Sequence, residues 1–136
     1  MTLQVDLQLP SGALRRSEPA EVTVSVTNTG PEAVLINRRM SPGYEESFPR
    51  EIYFELDAEY GRLKYDRDIS DDSDYGPLDP DATVSATIDL LHWYRITEPG
   101  SYRIVTCYQC DEPGARPPAG VLRGVARSRV AEFTVQ

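Results

Sequence analysis

The chain has 136 residues, 40% of them hydrophobic and 26% charged, with a net charge of −8. That length and mix describe one domain, residues 1–136, able to bury a core without metals or disulfide staples, and they argue against global disorder. The acidic excess repels phosphate backbones and anionic lipid surfaces, so no nucleic-acid or membrane partner is expected; a protein partner with basic surface is favoured instead.

The N-terminal run Leu3, Val5, Leu7, Leu9 alternates with Gln4, Asp6 and Gln8, the period-two pattern of a strand with one wet face. Pro10-Ser11-Gly12 ends it, and ALRRSEP reads as a polar connection. Val22, Val24 and Val26 then alternate with Thr23, Ser25 and Thr27 in the cleanest strand of the chain, β-branched almost throughout. Asn28-Thr29-Gly30-Pro31 is a turn, and Ala33-Val-Leu-Ile-Asn resumes as a third strand, expected to pair antiparallel with the second. From Arg38 to Arg50 the alternation is lost, which predicts a long exposed loop. Ile52, Phe54 and Leu56 give a fourth strand, and Arg62–Tyr65 a short fifth. The acidic run DRDISDDSDYGPLDPD contains Pro77 and Pro80, which keep it out of any central strand.

The stretch from Thr83 to Tyr108 organises the rest. Val84, Ala86 and Ile88 alternate with Thr83, Ser85 and Thr87, and Asp89 is a candidate N-cap for a helical turn through Leu90–Tyr94. Pro99-Gly100 has the composition of a type II turn. Tyr102 then opens a strand in which Tyr102, Ile104, Thr106 and Tyr108 oppose Arg103, Val105, Cys107 and Gln109. Residues 111–120 form a second long loop, and a last strand near Arg127–Gln136 turns Phe133 and Val135 inward. Eleven prolines and nine glycines, scattered rather than repeated, suit many short strands joined by turns. Strand, corner, Pro-Gly, Tyr, strand is the order by which an immunoglobulin-type domain crosses between sheets. The expected fold is therefore all-β: an antiparallel two-sheet immunoglobulin- or fibronectin-like sandwich of about seven or eight strands, monomeric.

Cys107-Tyr-Gln-Cys110 has CxxC spacing, but a redox CxxC places its first cysteine at a helix N-terminus, whereas this pair ends a strand. Extended chain puts the two Cα atoms about 10 Å apart. A disulfide wants less than about 7 Å, so the pair closes only if the strand breaks at Gln109. As a zinc site it lacks ligands, since His92 is the sole histidine. The aspartates 66, 68, 71, 72, 74, 79 and 81 fit no EF-hand register, and a solvated acidic loop is the expectation. Neither a metal nor another cofactor is expected. His92 lacks a nucleophile partner and, like Trp93, is expected to pack; no serine lies in a nucleophile elbow, so no catalytic residue is assigned. Tyr102 is expected to cap the corner through its hydroxyl. Met40, Tyr44 and Phe48 are apolar in a loop without strand pattern, and two readings weigh equally: they anchor protein contacts, or they fold back over a sheet edge and protect it.

The runs EVTVSVTNTGPEAVLIN and YGPLDPDATVSATIDLLHWYRITEPGSYRIVTCYQ resemble the N-terminal prodomain of deuterolysin and peptidyl-Lys metalloendopeptidases, and are similar to bacterial intracellular proteinase inhibitors. The shared pattern is strand-Asn-Thr-Gly, a Leu-x-Pro approach, a Ser/Thr-rich strand ending in Asp-Leu, an aromatic corner and Gly-x-Tyr. The protease's His-Glu-x-x-His is absent, so no catalytic residue carries over. The resemblance implies a domain that lies against a protease or other partner. The expected function is thus a non-catalytic protein-binding module, inhibitory or prodomain-like, contacting its partner through Tyr44, Phe48, Asp71, Asp72, Asp74 and Tyr75. The alternatives are a metal or redox protein using Cys107, Cys110 and the acidic loop, and a carbohydrate-binding module using Trp93 or loop tyrosines. MTLQVDLQLP lacks the basic start and apolar core of a signal peptide, so the cytoplasm is the expected compartment; an excised piece of a secreted precursor would read the same.

Overall fold

The alternating runs fold as strands, and the computed structural model describes residues 3–16, 18–38, 40, 51–57, 74–93, 98–110 and 119–136. In chain order the elements are β1 (Leu3–Gln8), β2 (Glu21–Asn28), β3 (Val34–Asn37), β4 (Ile52–Asp57), β5 (Tyr75–Leu78), β6 (Thr83–Asp89), α1 (Leu90–Trp93), β7 (Gly100–Gln109), β8 (Val125–Arg127) and β9 (Ala131–Val135). The described residues are all-β apart from the single helical turn, and none of their helices is long or apolar enough to cross a membrane. Strands pair antiparallel in three sets: β1-β2-β6, β3-β5, and β7 flanked by β4 on one edge and by β8 and β9 on the other.

Inward residues of all three sets share one core. Val22, Val24 and Val26 of β2 are fully buried, and they join Ile36 of β3, Leu78 of β5, Ile52 and Phe54 of β4, and Ile104 and Tyr108 of β7. Removing one such aliphatic or aromatic side chain from water contributes about 1.5–3 kcal/mol, so this shared interior is the main driving force. The connection after β1 also takes part. Leu14, in a stretch read as polar, is buried and forms a parallel bridge with Val135: its N–H donates to Thr134 O at 2.8 Å, and Gln136 N–H donates to its carbonyl at 2.8 Å. The segment that starts in the first sheet therefore ends against β9 of another.

Three features differ from the sequence expectation, each for a local reason. β2 and β3 are not partners; β3 pairs with β5 instead. The Asn28 amide redirects the chain: its Oδ1 accepts from Gly30 N–H at 2.9 Å, and its Nδ2 donates to the carbonyls of Glu32 at 2.8 Å and Leu78 at 2.9 Å. Pro99-Gly100 is not a type II turn. Gly100 has φ +149° and is already paired with Val135 as the first residue of β7. Turn chemistry of that type sits instead at Asp79-Pro80-Asp81-Ala82, where Ala82 N–H donates to Asp79 O and Asp81 takes φ +65°. Finally, the single last strand is two. Arg127 pairs with Cys107 and Ala131 with Ile104, so one extra residue lies between them. Ser128 makes the resulting bulge: its N–H donates to Thr106 O at 2.8 Å and its hydroxyl accepts from Thr106 N–H at 2.9 Å.

Other expectations hold. Asp89 Oδ1 accepts from Leu91 N–H at 3.1 Å and caps α1, while also accepting from Ala20 N–H at 3.0 Å. The Tyr102 hydroxyl donates to Glu98 O at 2.6 Å across the corner, and its ring stacks on Phe133 at 5.5 Å. Pro77 lies in a two-stranded set, never a central strand. Arg38 N–H donates to Asp74 O, so residues 74, 76 and 78 face β3 and Pro77 points its donorless nitrogen outward. The expected strand at 62–65 lies outside the described residues.

Asn28 is fully buried, and its backbone is also bonded, donating to Ala82 O at 3.1 Å and accepting from Asp81 N–H at 2.8 Å. Replacing Asn28 by Ala strands the buried Leu78 carbonyl and two part-buried backbone groups, for an expected loss of about 2–3 kcal/mol. Asn28→Asp, which keeps the shape but turns an acceptor toward two carbonyls, should lose as much or more. Urea unfolding measures both, and a loss under about 1 kcal/mol for either contradicts this role.

Candidate functional site

A second buried polar cluster lies where β3, β4, β5 and β7 end. The Tyr108 hydroxyl donates to Asn37 O at 2.8 Å and accepts from Cys110 Sγ at 3.4 Å. Asn37 Oδ1 accepts from Asp74 N–H at 3.0 Å, and Gln109 N–H donates to Glu51 O at 2.9 Å. Asn37, Glu51, Tyr108 and Cys110 are each almost wholly buried. Loss of solvent is the largest influence on Tyr108, followed by Cys110 and the Glu51 carboxylate, and all push its phenol well above the usual range. Tyr108 thus stays protonated at any working pH and acts as a fixed donor rather than an acid–base group.

This cluster roots the segments on which most of the expected contact residues lie. Residues 41–50 follow Met40 and return at Glu51, residues 58–73 return at Asp74, and residues 111–118 depart from Cys110. Each junction touches the cluster or adjoins a residue that does. Of the six expected contact residues, Asp74 is exposed at the head of β5 and Tyr75 is half-buried beside it, opposite Asn37. Tyr44, Phe48, Asp71 and Asp72 lie outside the described residues, as do the side chains of His92 and Trp93. Met40 is buried in the shared core and has φ +54°.

The two cysteines are buried, but they face opposite sides of β7. Cys110 sits in the core beside Tyr108. Cys107 points to the outer face, where its thiol donates to Glu55 Oε1 at 3.4 Å, and Arg127 Nε donates to the same oxygen at 3.1 Å. The hydrogen bond from Arg127, then that from Cys107, holds the Glu55 carboxyl below its ordinary value. A depressed folded-state value means that this pairing adds stability above the usual carboxylate range and gives it up as the pH falls through it. Glu55 is substantially exposed, so the contribution is small. Because β7 stays regular through Gln109, the break that a Cys107–Cys110 disulfide requires does not occur.

Glu51 and Asn37 were not anticipated from the sequence. A glutamate directly before an alternating run reads as an exposed strand end, and nothing in Arg50-Glu51-Ile52 marks it as buried. Thr106 was anticipated on the inner face, but its Oγ1 finds no hydrogen-bond partner among the described residues. Among the described residues no three His, Cys, Asp or Glu side chains converge as metal ligands would; residues 66–73 of the acidic run lie outside them. Comparison with models of known protein families finds no match, and comparison with curated protein sequences finds none either.

Thiol accessibility tests this geometry. With an aromatic disulfide reagent, both cysteines of the native protein should react at least a hundredfold more slowly than in denaturant, where two thiols per chain are released. Rapid native reaction of either, or formation of an intramolecular disulfide under mild oxidant, contradicts it.

Proposed function

We infer that the chain is a non-catalytic protein-binding module built on a two-sheet immunoglobulin-like sandwich, and that it acts on a protease in the manner of an inhibitor or prodomain. The fold reading is supported by β1-β2-β6 sharing a core with the set around β7, and by the Tyr102 hydroxyl reaching back to Glu98 at the corner. The observation that carries the functional reading is the convergence of segment roots on the Asn37–Tyr108 cluster. The two segments that hold Tyr44, Phe48, Asp71 and Asp72, and the segment 111–118, each have an end at one pole of the domain, beside exposed Asp74 and half-buried Tyr75. Rigid strand ends that present several segments together are the usual platform for recognition. The polar atoms at those roots are engaged in fixed internal hydrogen bonds, which suits holding a surface better than turning over a substrate.

The test is inhibition and complex formation with a panel of serine, cysteine and metallo-proteases, and with extract of the native host, at low and at high salt. Saturable complex formation with a protease is expected, weakened at least tenfold by high salt because the acidic surface contributes through screened charge. Tyr44→Ala combined with Phe48→Ala should weaken it about tenfold to a hundredfold. Absence of any complex at low salt, or a complex indifferent to both substitutions, sinks the reading.

A further inference from the structure

The ladder between β2 and β6 fixes which backbone groups of β6 are used. Leu90 N–H donates to Ala20 O and Asn28 N–H donates to Ala82 O, one at each end of the same register. Even-numbered residues of β6 therefore bond to β2, and Thr83, Ser85, Thr87 and Asp89 direct their N–H and C=O groups away from the sheet. Among the described residues none takes the outward groups of Thr83, Ser85 or Thr87.

Three other edges, those of β3, β5 and β9, are visibly closed. Leu122 N–H donates to the outward carbonyl of Leu35 on β3, Pro77 removes a donor from the outer edge of β5, and Leu14 bridges β9. Among the described residues β6 has none of these protections: seven residues, TVSATID, with no proline, lysine or arginine, in unbroken register with β2. Natural edge strands are normally blunted by such devices, so an unblunted one is a pairing surface. Its apolar side is also unfinished. Val84 and Ala86 remain half-buried, while Val26 and Val24 opposite them on β2 are fully buried. A further strand beside β6 would complete that coverage.

Charge selects what fits. β1, β2 and β6 together carry Asp6, Glu21 and Asp89 and no basic residue, and the turn leading into β6 adds exposed Asp79 and Asp81. A second copy would bring a like charge of −8 to this edge. We propose that the outer edge of β6 is a strand-addition site for an extended segment of a partner protein, apolar at every second residue and carrying lysine or arginine between. The apolar residues cover Val84 and Ala86, and the basic ones lie beside the hydroxyl row of Thr83, Ser85 and Thr87 among the flanking acids. This site rests on the protein-binding reading above and names the form of the segment recognised.

The test uses the full chain and an acetylated, amidated heptapeptide of alternating arginine and valine, followed by amide NMR. Saturable shifts centred on Thr83, Ser85 and Thr87, with their hydrogen exchange slowed at least tenfold, are expected. The same peptide with glutamate for arginine, or N-methylated at alternate residues, should bind at least tenfold more weakly. Ser85→Pro removes one outward donor without touching the β2 ladder and should abolish the protection; Ser85→Lys should weaken binding at least tenfold while leaving the spectrum native. Three results overturn the site: shifts spread over the acidic surface without protection, binding unchanged in both variants, or the three amides already protected in a dimer of the free chain. Peptide capture at β6 by a chain that complexes no protein would spare the site and remove the broader reading. A protease complex indifferent to both Ser85 variants would do the reverse.

Discussion

A single buried amide, that of Asn28, holds the topology together. Every donor and acceptor of this residue's backbone and side chain that points inward is used, and the partners come from four places in the chain: Gly30, Glu32, Leu78 and the Asp81–Ala82 turn. An isolated amide in an apolar interior is costly, so the geometry that satisfies it is strongly selected over near alternatives. That is why β2 does not run into a hairpin with β3. The amide turns the chain after Gly30 and ties the end of β5 to the end of β2, which places the β3-β5 pair over the shared core. The hydrophobic interior supplies most of the driving force, but it is tolerant of arrangement. Directional hydrogen bonds choose the arrangement.

The opposite end of β3 repeats the device. Asn37 uses its carbonyl for Tyr108 and its side-chain oxygen for Asp74, so the four-residue strand is anchored at both ends by asparagine chemistry. One consequence reaches the surface: the strand ends that launch the long segments are fixed relative to one another by bonds that do not titrate, since Tyr108 remains protonated. The Tyr108–Asn37 bond therefore keeps its donor across pH, while the net charge of −8 is what salt and pH modulate.

Much of the strand content was legible because alternation in β1, β2, β6 and β9 is nearly uninterrupted, and period two is a local signal. The Asp89 cap and the Tyr102 corner were legible for the same reason, since partners lie within a few residues or at a strand end. Pairing was less so. The choice of β5 over β2 as the partner of β3 depends on Leu78, fifty residues from Asn28 in sequence, and no local pattern encodes that bond. The split of the last strand turns on Ser128 imitating a backbone acceptor, which an alternating reading of Arg127–Gln136 passes over. Of the candidate contact residues, Asp74 and Tyr75 lie at the head of β5, where the sequence suggested an acidic loop, and buried Glu51 gave no signal because a charge beside a strand ordinarily faces water.

Native-state amide hydrogen exchange at Gly30 and Asp81 tests the central claim most directly, because each donates to Asn28 from a turn. If the Asn28 node is part of the cooperative core, both amides exchange only by global unfolding, and their opening free energies match the stability measured by denaturant. Exchange at rates typical of exposed turns, with free energies well below the global value, would show that the turns open independently and that the node does not hold the fold.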